Sequence, residues 1–402
     1  MGVVAGLRLL GRQRAWRWWT VASFLARLPV TMTLLALVLL GEQVTGSIAV
    51  GAQLTGVAIL ASGLSALWRG RMLDGGELTA GLRRDCLLTA AAVGGLATAA
   101  FTAASLPVLF ALAALQGVAM AALSGGFRAL LPVIVAREDL PRANAVEAVF
   151  AEVAFVTGPA LAGLLAMAFG ALSVQVLMAA AVSTAGVVVS FLPRLEPPTQ
   201  RPAFAPWKVE GVKPLFAIAM AVGVALGMFE SLVPARLVSM GADSALAGPL
   251  LAMFAAGSVI TGLIATSRAE RVTHPAGPAV WLLLSLGLLM SPVALAPSLM
   301  LLGAILLFAG GPIAPLNALG TIRLQSVVPP GRQAEGFSLY IASVMIGAGL
   351  GQSVTGLLLP VLGAERLIVL CALVPLVAAG VVSFVRGSRA HVIAQGVAED
   401  RA

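Results

Sequence analysis

The sequence predicts an all-α polytopic membrane protein: twelve transmembrane helices in two pseudo-symmetric six-helix bundles, with both termini cytoplasmic. Three observations predict it. Of 402 residues, 59% are hydrophobic and 10% charged, with a mean hydropathy of +1.01, whereas soluble domains carry about a quarter charged residues. Apolar runs long enough to cross about 30 Å of hydrocarbon recur along the whole chain. Of the 25 lysines and arginines, all but Arg27, Arg236 and Arg366 fall in alternate loops or in the termini, the bias that marks a cytoplasmic side.

Arg8, Arg12, Arg14 and Arg17 precede Trp18 and Trp19, which open an apolar run to Leu40. A run of about 20 residues with no small-residue cleavage site behind it reads as an uncleaved first helix rather than a signal peptide. Its tryptophans suit the membrane interface. Five more spans follow near 47–67, 86–104, 107–127, 148–168 and 171–191, completing a first half over residues 1–195. A cytoplasmic linker at 196–213, rich in proline and charge, leads to a second half over 214–402. Its spans lie near 214–234, 244–266, 276–295, 298–320, 337–361 and 367–385, and the tail beyond them is expected to be disordered. The loop from Arg142 (RANAVEAV) and the loop from Gly331 (GRQAEGFSLY) each place an arginine and then a glutamate before a glycine-containing helix. Such an echo is what a duplicated six-helix unit leaves behind.

The densest charge in the chain is WRGRMLDGGELTAGLRRD, residues 68–85, between two apolar runs. Its glycines permit a tight turn where two helices leave the membrane, and a carboxylate there sits among arginines that stay charged. The order Gly70, Asp74, Gly81, Arg83, Arg84 resembles the signature loop between the second and third helices of major facilitator superfamily transporters, although Gly75 stands where a basic residue is usual. Gln116 and Gly117 in the fourth span follow the same family's pattern, with Ala113 where its members usually carry an arginine linked to proton coupling. In the fifth span, Gly158, Pro159, Ala162 and Gly163 resemble the motif of its drug and metabolite antiporters. The resemblance implies a secondary transporter with a latch at Gly70, Asp74, Gly81, Arg83 and Arg84, a hinge at Gly158, Pro159 and Gly163, and protons as coupling ion. Proline-bent helices with small residues suit such a hinge, but equally suit plain close packing. Gly347, Gly349, Gly351 and Gly356 form a second small-residue run in the eleventh span.

Charges inside spans cost about 3 kcal/mol or more unless paired or wetted. Three are expected: Arg27, about 10 Å into the first span at 1.5 Å per residue, Glu152 and Glu230. Arg27 is expected to pair with Glu152 or to meet an anionic group, and Glu230 to bond Arg236 or to titrate. Gln53, Gln116, Gln175, Asn317 and Gln352 are neutral polar candidates for a cavity or for bonds between helices. A mostly apolar cavity with few aromatics points to a lipophilic or amphipathic small molecule, with export ahead of uptake.

No GxxxxGK[ST] phosphate loop occurs, so ion gradients are the expected energy source and no cofactor is expected. His274 and His391 have no ligand spacing around them, and Cys86 and Cys371 lie far apart in apolar runs, so neither a metal site nor enzyme chemistry is expected. Basic residues spread through short loops argue against nucleic acid. The partners expected are a small-molecule substrate, protons and the lipid bilayer. An uptake permease, or a transport-dead sensor or scaffold on the same fold, remain as alternatives.

Overall fold

The computed structural model describes residues 13–74, 77–136, 138–193, 211–266, 276–328 and 333–399. Among them the chain is almost entirely helical, and the helix connections that are described in full run to a few residues. The first group comprises α1 (Arg14–Thr45), α2 (Ile48–Asp74), α3 (Leu78–Phe101), α4 (Leu106–Met120), α5 (Leu123–Ile134), α6 (Leu140–Phe169) and α7 (Ala171–Val189). The second comprises α8 (Val212–Ser239), α9 (Ala247–Thr266), α10 (Ala276–Met290), α11 (Leu299–Gly310), α12 (Ile313–Val327) and α13 (Gln333–Glu399). In hydrocarbon a helix satisfies its own backbone, so apolar runs of this length have no other way to cross.

The turns sit where the sequence offers a residue for positive φ. Gly46 (φ 71°) closes α1 and donates its amide to Glu42 O, and Gly170 (φ 80°) separates α6 from α7. Ser298 caps α11 by accepting from Leu301 N.

Ten stretches among the described residues are long and apolar enough to cross a membrane, against twelve expected. Two features account for the difference. Gly336–Phe384 is one stretch that contains both the eleventh and twelfth expected spans, divided at Gly363, whose backbone (φ 77°, ψ 168°) is not helical. The third expected span lies within α3, which carries Arg83, Arg84 and Asp85 in its second turn and so has a shorter apolar part. Boundaries shift as well: residues 142–149, expected as a loop, already lie inside α6, because Pro141 can occupy the first helical turn without losing a hydrogen bond. The tail is helical through Glu399 rather than irregular. Most of the linker, 194–210, and His274 lie outside the described residues, as does the side chain of His391.

Large apolar side chains face outward, Phe101, Phe169, Trp281 and Met300 among them. A soluble protein would hide them; a bilayer solvates them. Inside, one continuous apolar cluster runs from Trp16 to Ala372 and joins helices from both groups. α13 packs along α8 and across α2, while α6 meets α9.

Candidate functional site

The charged segment near 68–85 is built differently from expectation. Gly70 lies inside α2 and Gly81 inside α3, both with helical backbone, so neither makes the turn. A Cβ at Gly81 would lie 2.7 Å from Leu73 Cδ2, which makes this glycine a packing residue, whereas Gly70 faces open space. Among the described residues, the carboxylate paired with arginines in this segment is Asp85. Arg69, buried at the end of α2, donates to Asp85 Oδ1 at 2.7 Å, and Arg84 approaches the same oxygen at 3.4 Å. Asp85 is fully buried, so this bond ties α2 to α3. Arg83 is exposed, and the side chain of Asp74 lies outside the described residues.

Arg27 does not pair with Glu152. Its Nη2 donates to Glu147 Oε1 at 2.6 Å, and Arg128 of α5 donates to the second oxygen of the same carboxylate at 2.8 Å. Arg27 and Glu147 are buried, with side chains 9% and 3% exposed, while Arg128 is 58% exposed. Glu152, five residues beyond Glu147, sits on another face of α6 and is exposed. Next to the cluster, Trp19 Nε1 donates to Phe127 O at 2.8 Å, fixing α5 against α1.

Gln116 is buried and donates to Thr33 Oγ1 of α1 at 3.2 Å, a bond between helices, and its Oε1 has no partner among the described residues. Gly117 meets the backbone of Ala58 in α2: a Cβ there would lie 2.7 Å from Ala58 C.

The expected hinge residues lie at helix crossings. Gly158 packs on Thr31 of α1, with room of only 2.8 Å between an added Cβ and Thr31 Cβ. Gly163 faces Gly248 of α9, 2.7 Å from its Cα by the same measure, and Gly248 in turn seats against Pro159 O. The glycines of α13 divide by face. Gly347 and Gly351 receive the backbone of α8 at Met220 and Met228; Gly349 and Gly356 receive α2 at Leu60 and at Ala49 and Gln53.

Glu230 is half-buried on α8 and makes no ion pair or hydrogen bond among the described residues. Arg236 does not reach it: its Nη1 holds Glu365 beyond the Gly363 break, and its Nη2 donates to Ala296 O at 3.1 Å. The neighbour of Glu230, Ser231, donates to Gln352 Oε1 of α13, and Gln352 Nε2 is buried with no partner. Gln53 is half-buried against Gly356, Gln175 is buried with neither amide atom bonded among the described residues, and Asn317 is exposed on α12. At the arginine-poor end, Ser244 donates to Glu42 Oε2 across the two groups of helices. A cavity of about 130 Å³ opens beside this bond, lined by Glu42, Gln43, Asp243 and Ser244.

The sequence matches the Major Facilitator Superfamily over residues 19–311. The chain belongs to the Major Facilitator Superfamily. Solved structures similar to it include the nucleoside transporter NupG, as a point mutant, with 15% identity and a TM-score of 0.74 over 91% of this chain and 99% of that one. The POT family transporter PepTSo is similar at 11% identity and a TM-score of 0.75, over 92% and 97%. A peptide transporter POT in complex with sulfate is similar at 13% identity and 0.72, over 92% and 94%. At such identities the likeness is one of fold. No curated protein sequence matches.

For this superfamily member, sequence reasoning missed Asp85, Glu147, Arg128 and Glu42. Each lay outside the apolar windows or at their rims. Helical spacing carried a usable signal: Arg142 and Glu147 lie in the opening turns of α6, behind a proline in its first turn, not in a loop.

Proposed function

We propose that this chain is a secondary active transporter that moves a small lipophilic or amphipathic molecule by alternating access between two six-helix halves, with proton-coupled export. One observation carries the reading. The two groups of helices approach through glycine, at the α2–α13 crossing (Gly56 against Ser353, Gly349 against Leu60) and at the α6–α9 crossing (Gly163 against Gly248). Crossings in which glycine stands in place of a bulky side chain can roll or part as rigid bodies, because less has to unpack. The α6–α9 contact lies towards the arginine-poor ends, where Val38, Ile48, Ala235 and Ala364 also form a small apolar cluster. This supports an arrangement closed on that side.

In this reading the twelve spans place both termini in the cytoplasm of a cell-membrane protein, and the segment holding Gly70, Asp74 and Gly81 latches the arginine-rich side. Glu230, half-buried and unpartnered, is the proton carrier. The test is accumulation of a panel of lipophilic and amphipathic compounds in cells expressing the protein, wild type against Asp74→Asn and Glu230→Gln, with and without a protonophore. Wild type should lower accumulation, and both substitutions and the protonophore should abolish the difference. Raised accumulation would show uptake instead. No effect of the folded protein on any compound would defeat the transport reading.

A further inference from the structure

The seam between the two groups of helices holds little that responds to pH. Its crossings at α2–α13 and α6–α9 are packed through glycine, and its cluster of Val38, Ile48, Ala235 and Ala364 is apolar. Among the described residues no ion pair crosses it. The side-chain hydrogen bond that does cross runs from Ser244 Oγ to Glu42 Oε2. Ser244 is 8% exposed, just ahead of α9, and Glu42 is half-buried in the last turn of α1. The polar tie across the arginine-poor side therefore depends on one titratable group.

That group has no cation to neutralise it. Of the elements around the cavity of about 130 Å³ beside the bond, α1 adds Leu39 and Gln43, the α6–α7 turn adds alanine and glycine, and the α8–α9 connection adds Asp243. The Asp243 carboxylate is the charge that acts on Glu42. Its Oδ1 accepts from Ala245 N at 2.8 Å, which fixes it beside Ser244. Arg236 at the end of α8 is held elsewhere, by Glu365 and Ala296 O. Arg366 of α13 is exposed and does not line the cavity, and the opening turns of α2 carry no charge. Closing this side thus brings two carboxylates to one small wet space without a countercharge among the described residues, and like charges drawn together oppose the closure.

We propose that Glu42 is a proton-operated catch: protonated, it lets the arginine-poor side close; ionised together with Asp243, it drives that side open. A neutral Glu42 still accepts from Ser244 through its carbonyl oxygen, so acid removes the repulsion and keeps the bond. When both groups are ionised the repulsion is relieved by parting the helices, and a seam packed through glycine resists that weakly. The proposal rests on the transporter reading and adds to it a device by which the proton concentration on one side of the membrane selects the conformation.

Full-length Ala171→Cys protein in phosphatidylcholine nanodiscs carries the test, because Ala171 lines the cavity and is 4% exposed, while the native Cys86 and Cys371 are buried. The readout is the labelling rate with a membrane-impermeant methanethiosulfonate, divided by the rate for Thr102→Cys at the exposed end of α3, which cancels the effect of pH on the thiol. Between about pH 4.5 and about pH 7.5, a range that begins near the ordinary carboxylate value, the ratio should rise about fivefold, the scale of two unit charges meeting in water. With Glu42→Gln added it should stay low throughout, since the amide accepts from Ser244 without a charge. Asp243→Asn keeps an acceptor for Ala245 N and should flatten the rise; it decides the matter where the first variant does not fold. A ratio flat with pH in the parent protein, or an equal rise with Glu42→Gln, would overturn the proposal. So would a ratio that follows sodium concentration at constant pH, which would make the cavity a cation site. A pH-dependent ratio in a protein that moves no compound in cells would leave the catch and defeat the transport reading, and a flat ratio with export intact would do the reverse.

Discussion

Asp85 is the side chain on which the arginine-rich end of the first helices depends. It is fully buried, and it neutralises Arg69, which is 6% exposed. Asp85→Asn would leave that guanidinium buried without its countercharge, at a cost of about 3–5 kcal/mol. Thermal unfolding of the purified variant should show a clear loss; an unchanged melting temperature would mean that water reaches Arg69 and the pair is ornamental. The sequence drew attention to this stretch through Asp74, whose side chain lies outside the described residues, and passed over Asp85. Gly70, Asp74 and Gly81 stand out by pattern, whereas Asp85 looks like one more loop charge until α3 is seen to begin at Leu78. The same limit applied at Arg27. Two glutamates lay within reach, and positions five apart on a helix point about 140° away from one another, so choosing between Glu147 and Glu152 needed the rotation of α6.

Between elements, the glycines decide how closely helices approach, and a pair of substitutions separates packing from propensity. Gly117→Ala would press a methyl into the backbone of Ala58, an overpacking that costs about 1–3 kcal/mol. Gly94→Ala meets nothing within 4 Å on α3, so it should be neutral or stabilise by up to about 1 kcal/mol through helix propensity. Denaturation of the two variants in one detergent compares them directly, and equal losses would show that the Gly117 contact is not as tight as described. The small-residue runs near 158–163 and 347–356 were legible in the sequence as close-packing faces. Which partner each glycine receives was not. Residues two apart on α13, Gly347 and Gly349, serve different neighbours, and a one-dimensional pattern does not distinguish a face turned to α8 from one turned to α2.

For the whole molecule, the membrane class and the helical architecture followed from composition and from the placement of Arg and Lys, because hydrocarbon leaves a polypeptide so few choices. The exact tally of spans was less accessible. Gly363 breaks α13 without a polar loop to announce it, and α3 is charged in its second turn. Alternating access predicts that fixing the arginine-poor side stops turnover. In a Glu42→Cys, Ser244→Cys double variant, positions whose native side chains are hydrogen-bonded, a short thiol cross-linker should block transport, and reduction should restore it. The native Cys86 and Cys371 are buried and should stay unmodified. Full transport by the cross-linked protein would rule out separation of the helices at that side as part of the cycle.

Where α2 meets α13 and α6 meets α9, glycine forms one side of the contact. Such a seam has little to unlock, so its two positions can be nearly equal in free energy. Inverting a two-state population from 1:99 to 99:1 takes a ligand about 10⁴-fold selective for one state, or about 5.5 kcal/mol. A few good contacts supply that. A seam of interlocked leucines would put the switch beyond the reach of any single small molecule, whereas one made of glycine leaves the cargo able to tip the machine that carries it.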